Sequence, residues 1–394
     1  SGLYEVVLRV TKVSERLQSD MHNSEVAPGI RLSMKLAIGA GEVDVEHLGG
    51  LFDRWEFLIS GLPLAQLGRA NDCAEPGDVV LSVEAAARLH RGYELEPAAE
   101  GVFRLVASCG TMLPFPSVPA PELPNATETE QLLTFLPAAI RQRVAAGHAE
   151  WLSELRAVSV VFMNLPGFGV DTPLERAQEA MRTLQTCLYR YEGSINKVSV
   201  DDKGASLIGV LGLPPLSHTD DPQRALRAAI DMQAGLRELG LDSAIGVCSG
   251  TAFCGFVGNN RRREYTVMGD VVNLSARLMQ AAVGGILCDE QTRKRGGSRF
   301  DFKSLEPLSV KGKAEPVPVY VPELRDTAGG TANMPQVLQG RVLERRRLAE
   351  LLHQVVAHTD APLPRVSVSA ERGSGKWSVV SEMLQNAMGM GAQV

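Results

Sequence analysis

The sequence has little cysteine, no excess of positive charge and no long apolar run, and each shortage removes a class of protein. Its six cysteines (Cys73, Cys109, Cys187, Cys248, Cys254 and Cys288) are scattered over 394 residues. None forms a CxxC pair and none has histidine at metal-ligand spacing, so neither a disulfide scaffold nor a zinc site is expected. Four of the six lie in apolar surroundings that suit buried, reduced thiols. A formal net charge of −6 argues against a nucleic-acid binder, which carries a basic balance or stripe. The compact basic runs, Arg261–Arg263 and Arg345–Arg347, read as solvated loop or helix faces. No stretch of eighteen or more apolar residues occurs, so no membrane span is expected, and the first residues lack the charged-then-apolar pattern of a secretory leader. Cytoplasm is the expected compartment.

What is present is an ordinary globular composition, 44% apolar, at a length that accommodates two or three domains. The chain repeats itself. Met34 to Ala70, "MKLAIGAGEV" followed by "RWEFLISGLPLAQLGRA", parallels Ser243 to Leu278, "SAIGVCSGTA" followed by "RREYTVMGDVVNLSARL". Each copy continues through a short turn into an apolar strand, and "ELEP" (Glu94–Pro97) is echoed by "SLEP" (Ser304–Pro307). A period near two hundred residues is too long for a solenoid and suits a duplicated domain. Pro-rich Met112–Thr127 separates the copies, and "RDTAGGTANMPQ" (Arg325–Gln336) follows the second. The absence of an initial Met, and an end soon after a phosphate-loop-like lysine, lead us to expect an excerpt of a longer protein.

Within the second copy, "AVSVVFMNL" reads as a buried strand and "PLERAQEAMRTLQTCLYRYEG" as a helix. "SINKVSVDDKGASLIGVLG" is a strand, turn and strand, and "DPQRALRAAIDMQAGLRELG" a helix opening at an Asp-Pro signal. "SAIGVCSGTAFCGFVG" reads as two short strands around a glycine. Alternation without strict βαβ regularity predicts a mixed α/β sandwich. In "REYTVMGDVVNLSARLMQ" (Arg263–Gln280) a β-branched segment passes through glycine into a helix on which Asn273 and Arg277 share one face.

On the Thr-Val-x-Gly-x-x-Val-Asn-x-x-x-Arg pattern at Thr266–Arg277, the second copy resembles a class III nucleotidyl cyclase domain. The whole arrangement resembles the soluble, bicarbonate-responsive type of adenylyl cyclase, with two cyclase domains ahead of an NTPase domain. The resemblance implies tandem ferredoxin-like cyclase domains forming a pseudo-two-fold pair, then the start of a P-loop NTPase α/β domain. The boundaries follow: residues 1–111 the latter part of a first cyclase domain, 112–155 a linker and connecting helix, 156–323 a second cyclase domain, 324–339 a linker, and 340–394 the NTPase beginning.

The implied reaction converts ATP to 3′,5′-cyclic AMP and pyrophosphate. By resemblance, Lys197 and Thr266 hydrogen-bond the adenine edge, Asn273 orients the ribose, and Arg277 meets the charge growing on the α-phosphate. Lys311 or Lys313 in "SVKGKAEP" would reach the outer phosphates. A lysine at 197 favours ATP over GTP. The family's two metal aspartates fall at Asn164 and Ala205, which cannot hold Mg²⁺, so the ligands of Mg²⁺ or Mn²⁺ are expected upstream of residue 1. In the first copy Leu58 stands for Thr266, Ala65 for Asn273, and Arg69 keeps the place of Arg277. That pattern implies one working site between paired domains and one degenerate site open to a small-anion regulator such as bicarbonate. The phosphate loop "AERGSGKW" keeps Gly373, Gly375 and Lys376 but has Ala370 and Trp377 at its other key positions. The alternative reading is an inactive cyclase-like sensor of a nucleotide or anion that regulates the C-terminal NTPase module.

Overall fold

The computed structural model describes residues 2–89, 92–108, 124–137, 140–141, 153–169, 171–213, 216–259, 262–310, 313, 315–325, 347–348 and 351. The chain divides into two compact units, Ser1–Leu324 and Arg325–Val394. The phosphate loop expected around Gly373, Gly375 and Lys376 lies outside the described residues.

The first half of the larger unit opens with α1 (Gly2–Met21) and the hairpin β1 (Ser24–Ala27) and β2 (Ile30–Leu32). It continues through β3 (Leu36–Ile38), β4 (Asp44–Leu51), β5 (Arg54–Ser60), α2 (Leu62–Cys73), β6 (Val79–Ser82), α3 (Val83–Ala86), β7 (Tyr93–Ala99) and β8 (Val102–Ser108). After α4 (Ala126–Leu133) the second half runs β9 (Glu154–Leu165), α5 (Leu174–Arg190), β10 (Ser194–Asp201), β11 (Gly204–Leu211), α6 (Asp221–Glu238), β12 (Ala244–Gly258) and β13 (Arg263–Met268). It closes with α7 (Asp270–Ala281), β14 (Ile286–Asp289), α8 (Glu290–Arg295), β15 (Phe300–Ser304) and β16 (Val319–Leu324). The fold is mixed α/β.

The two halves share a strand order. β3-β6-β8-β7 in the first corresponds to β12-β14-β16-β15 in the second, and in each the first pair is parallel and the rest antiparallel. Hairpin β4–β5 matches β12–β13. One expectation needs correction: "SAIGVCSGTAFCGFVG" forms the single strand β12, not two strands around a glycine. The reason is its neighbour, because β9 pairs with it without interruption from Ala244↔Asn164 to Cys254↔Glu154, and that ladder carries the chain straight through Gly250. In the first half no such partner is present among the described residues, and the same stretch breaks into β3 and β4.

Helix patterning follows burial. α6 buries Ala225, Leu226, Ala229, Met232 and Leu236, a stripe at helical spacing. On α1, Val7, Thr11 and Ser14 are buried, whereas Val6, Val10, Val13 and Leu17 form an exposed apolar stripe. No helix among the described residues is long and apolar enough to cross a membrane. Cys187, Cys248, Cys254 and Cys288 are buried free thiols. Burial pushes each thiol upward, Cys254 to about 11, so they stay protonated and unreactive.

The halves are joined by a continuous core. Leu48 and Leu58 of the β4–β5 hairpin belong to the same cluster as Met163, Leu165, Leu184 and Leu188. Two glutamines one heptad apart on α5 satisfy the outer backbone edge of the hairpin. Gln178 accepts from Gly49 N (2.7 Å) and donates to Gly49 O (2.9 Å), while Gln185 accepts from Leu51 N (3.2 Å) and donates to Arg54 O (3.0 Å). Gln185 is fully buried, so nothing else can solvate those groups. Gln185→Ala is therefore expected to destabilise the larger unit by about 2–4 kcal/mol, each unmet buried polar group costing about 1–3. Chemical denaturation of the variant against wild type checks it, and a change under about 0.5 kcal/mol, the range of ordinary surface substitutions, would remove the pairing from the account.

Candidate functional site

The junction of β13 and α7 builds the centre of the site. The chain leaves Met268 through Gly269 at φ 152°, and the matching junction in the first half uses Gly61 at φ 134°, where a Cβ would meet Glu42 O at 2.8 Å. Such positions favour glycine, which explains why both copies keep it. α7 buries Val271, Ser275, Leu278 and Met279 and leaves Asp270, Asn273 and Arg277 exposed. Asn273 and Arg277 share the solvent face, and Arg277 Nη1 donates to Gln280 Oε1 at 3.2 Å. Lys313 Nζ is ion-paired with the Asp270 carboxylate at the first turn of α7, so the lysine is tied to the helix that carries Asn273. Lys311 lies outside the described residues.

Lys197 and Thr266 sit on strands brought together by a bulge. The β10–β11 register slips between Ile195 and Lys197, leaving Asn196 as the extra residue. Asn196 Nδ2 donates to Tyr265 O on β13 at 3.4 Å. The bulge thus stitches the strand of exposed Lys197 to that of partly buried Thr266, which pairs with Gly255 on β12. The four residues Lys197, Thr266, Asn273 and Arg277 therefore lie on adjoining elements.

Asn164 and Ala205 do not fit a metal. Asn164 Nδ2 donates to Lys203 O (3.2 Å), Ala205 O (3.3 Å) and Ser206 Oγ (3.4 Å), so an N–H donor faces the oxygens that a cation would need. Ala205 is 4% exposed and its methyl belongs to the apolar core. Asp201 Oδ1 is engaged by Lys203 N at 2.8 Å in a local turn. Among the described residues no group of three or more His, Cys, Asp or Glu is placed to hold a metal ion.

The first-half counterparts are arranged differently. Leu58 is 2% exposed and packs with Leu165, Phe168, Val198 and Ala205 around a void of about 10 Å³, room for no more than one water. A base cannot enter where Leu58 lies. Arg69 is exposed on α2, and the helix approaches the β10–β11 turn so closely that a Cβ on Gly68 would lie 1.9 Å from Asp202 Oδ1.

Several features of the junction escape a reading of the sequence. Arg54 and Glu56 form a buried ion pair (2.9 Å) with side-chain exposures of 11% and 6%. Glu56 Oε1 has no hydrogen-bond partner. Burial pushes this carboxyl up to about 7 against the opposing pull of Arg54. The two α5 glutamines were visible as polar residues seven apart on an apolar helix face. Glu56 carried no such signal, because only the docking of the β4–β5 hairpin on α5 and β10 removes its water.

Comparison with known proteins adds a second line of evidence. Residues 152–322 match the family described as the adenylate and guanylate cyclase catalytic domain. A human protein named adenylate cyclase type 10 is 28% identical over 354 residues, covering 81% of this chain and 22% of its own length. The mouse protein of that name is 37% identical over 177 residues, covering 43% of this chain and 11% of its own. The chain thus spans about a fifth of the length of the human relative and about a tenth of the mouse one. Among solved structures, the adenylyl cyclase CyaB from P. aeruginosa aligns with 21% identity and a TM-score of 0.40, over 43% of this chain and 95% of that one.

Two expectations arise from the geometry. Because Glu56 binds its proton more tightly folded than unfolded, its contribution to stability is fully present below about pH 4.5 and is lost as pH rises to about 7. Glu56→Gln is expected to flatten that part of the profile; an unchanged profile would show that Glu56 is not the group that sets it. Asn164→Asp sets a carboxylate against the carbonyl oxygens of Lys203 and Ala205, and we expect a loss of about 1–3 kcal/mol that Mn²⁺ does not restore. Melting with and without Mn²⁺ checks this, and rescue by the ion would mean that a metal site is latent there.

Proposed function

Residues 152–322 are a class III nucleotidyl cyclase domain, and from that premise we propose that the protein is an adenylyl cyclase converting ATP to 3′,5′-cyclic AMP and pyrophosphate. The observation that carries the reading is the placement of Lys197, Thr266, Asn273 and Arg277 on adjoining elements, with Asn273 and Arg277 on an uncovered helix face. In the reaction the ribose 3′-oxygen loses its proton and forms a bond to the α-phosphorus, while the bond from that phosphorus to the pyrophosphate oxygen breaks. Lys197 and the Thr266 hydroxyl take the adenine edge; an ammonium donates to a ring nitrogen, which favours adenine over guanine. Asn273 hydrogen-bonds the ribose and sets the 3′-oxygen in line. Arg277 presents a planar, permanently charged guanidinium to the α-phosphate as its negative charge grows. The names of the relatives support adenylate over guanylate.

The metal carboxylates of such a reaction are not supplied at Asn164 and Ala205, and we assign no step to them. In this reading the first half pairs with the second as a cyclase domain, and strands bearing those carboxylates belong to its N-terminal side. The amide at Asn164 and the Leu58 plug favour one other reading, an inactive sensor of a nucleotide or anion.

Arg277→Ala in the full-length protein is expected to lower cyclic AMP formation at least about a hundredfold, the scale of losing one transition-state donor. ATP binding should change less than about threefold. Turnover and ATP affinity measured on the same preparation test it: unchanged turnover removes Arg277 from the chemistry, and ATP binding without turnover in the wild type selects the sensor.

A further inference from the structure

Away from the α7 face, three parts of the chain enclose a cavity of about 290 Å³. The β4–β5 hairpin contributes Phe52, the connecting residues contribute Ile140 and Arg141, and the second half contributes Tyr189, Leu213 and Leu216. Its size is at the lower end of small-molecule sites, and its walls are mainly apolar with few polar groups, as such sites are.

Among the described residues, the charges around it leave one cation open. Arg54, also at the wall, is committed: Nη2 to Glu56 at 2.9 Å and Nη1 to Trp55 O at 2.7 Å. The Glu192 carboxylate is held by Arg224 at 3.0 Å and faces His218 Nε2. Arg141 is partly buried and has no acidic or hydrogen-bonding partner for its guanidinium among the described residues. A guanidinium set in an apolar wall loses hydration and is stabilised by an anion that reaches it. The cavity therefore offers a single positive anchor beside an apolar chamber.

We propose that this cavity binds an amphipathic monoanion, a carboxylate on a flat apolar body of roughly ten to fifteen heavy atoms. The carboxylate sits on Arg141, and the body lies against Tyr189 and between Ile140 and Leu213. The two halves and the segment between them all touch the occupant, so binding braces their junction. The inference does not rest on the cyclase reading.

Isothermal titration calorimetry of the full chain with 2-naphthoate, and with uncharged 2-naphthamide, tests it. We expect one naphthoate per chain, bound at least about tenfold more tightly than the amide, the scale of one charge-assisted contact. Arg141→Gln should weaken naphthoate by about tenfold and leave the amide unchanged, while Arg141→Lys, which keeps the charge, should retain most of the affinity. Leu216→Trp, at a 43% exposed position where added bulk does not disturb the core, should reduce binding of both probes by filling the chamber. Absence of naphthoate binding, equal affinity for the two probes, or naphthoate affinity unmoved by Arg141→Gln or by Leu216→Trp would each overturn the proposal. Melting curves of the three variants confirm that the fold is kept, and a variant that melts early is replaced in the comparison by the other two.

Discussion

The larger unit depends on the docking of one two-stranded hairpin onto one helix. Alone, β4–β5 would be marginal in water, since a lone hairpin buries too little. Here Leu48 and Leu58 enter the core of the second half, and Gln178 and Gln185 pair with backbone groups that would otherwise be buried unmet. Apolar burial supplies the driving force. The glutamines fix the hairpin on the helix, because their spacing on α5 matches Gly49 and Leu51–Arg54 along the hairpin. The same docking strips water from Glu56 and roofs part of the apolar cavity.

Once that docking is set, the two sides of the junction acquire opposite character. Leu58 is pressed onto Ala205, and α2 onto the turn at Asp202, which closes that side with hydrocarbon and a close helix approach. On the other side nothing described covers the face of α7, and Asn273 and Arg277 remain open. Near-identical strand order thus yields one sealed and one open surface, and the difference rests on few residues. Leucine stands where the second half has Thr266, alanine where it has Asn273. At the sealed side an amide donor and a methyl stand at the two positions where the resemblance would place carboxylates. The pair is coherent physically: two carboxylates held there without a cation would repel each other, whereas a methyl under leucine packs and the amide donates to the carbonyls of Lys203 and Ala205.

Much of this was legible in the chain before folding. Helical period marked α5, α6 and α7, and the i, i+4 spacing put Asn273 and Arg277 on one face, because these are local properties that backbone geometry imposes on any short segment. The mixed α/β class followed from the alternation of such segments. The uninterrupted course of β12 was not legible, since its continuity comes from β9, some ninety residues earlier in the chain and adjacent only in space.

The sequence by itself determined that Asn273 and Arg277 share one helix face and that positions 164 and 205 carry an amide and a methyl in place of carboxylate side chains, because residue type and local spacing need no partner to be known. Tertiary structure alone decided that Leu58 is a plug, that burial raises the proton affinity of Glu56, and that Arg141 faces an apolar chamber. Each of those depends on which surfaces exclude water, and exclusion of water is a property of the packed halves together, not of any segment within them.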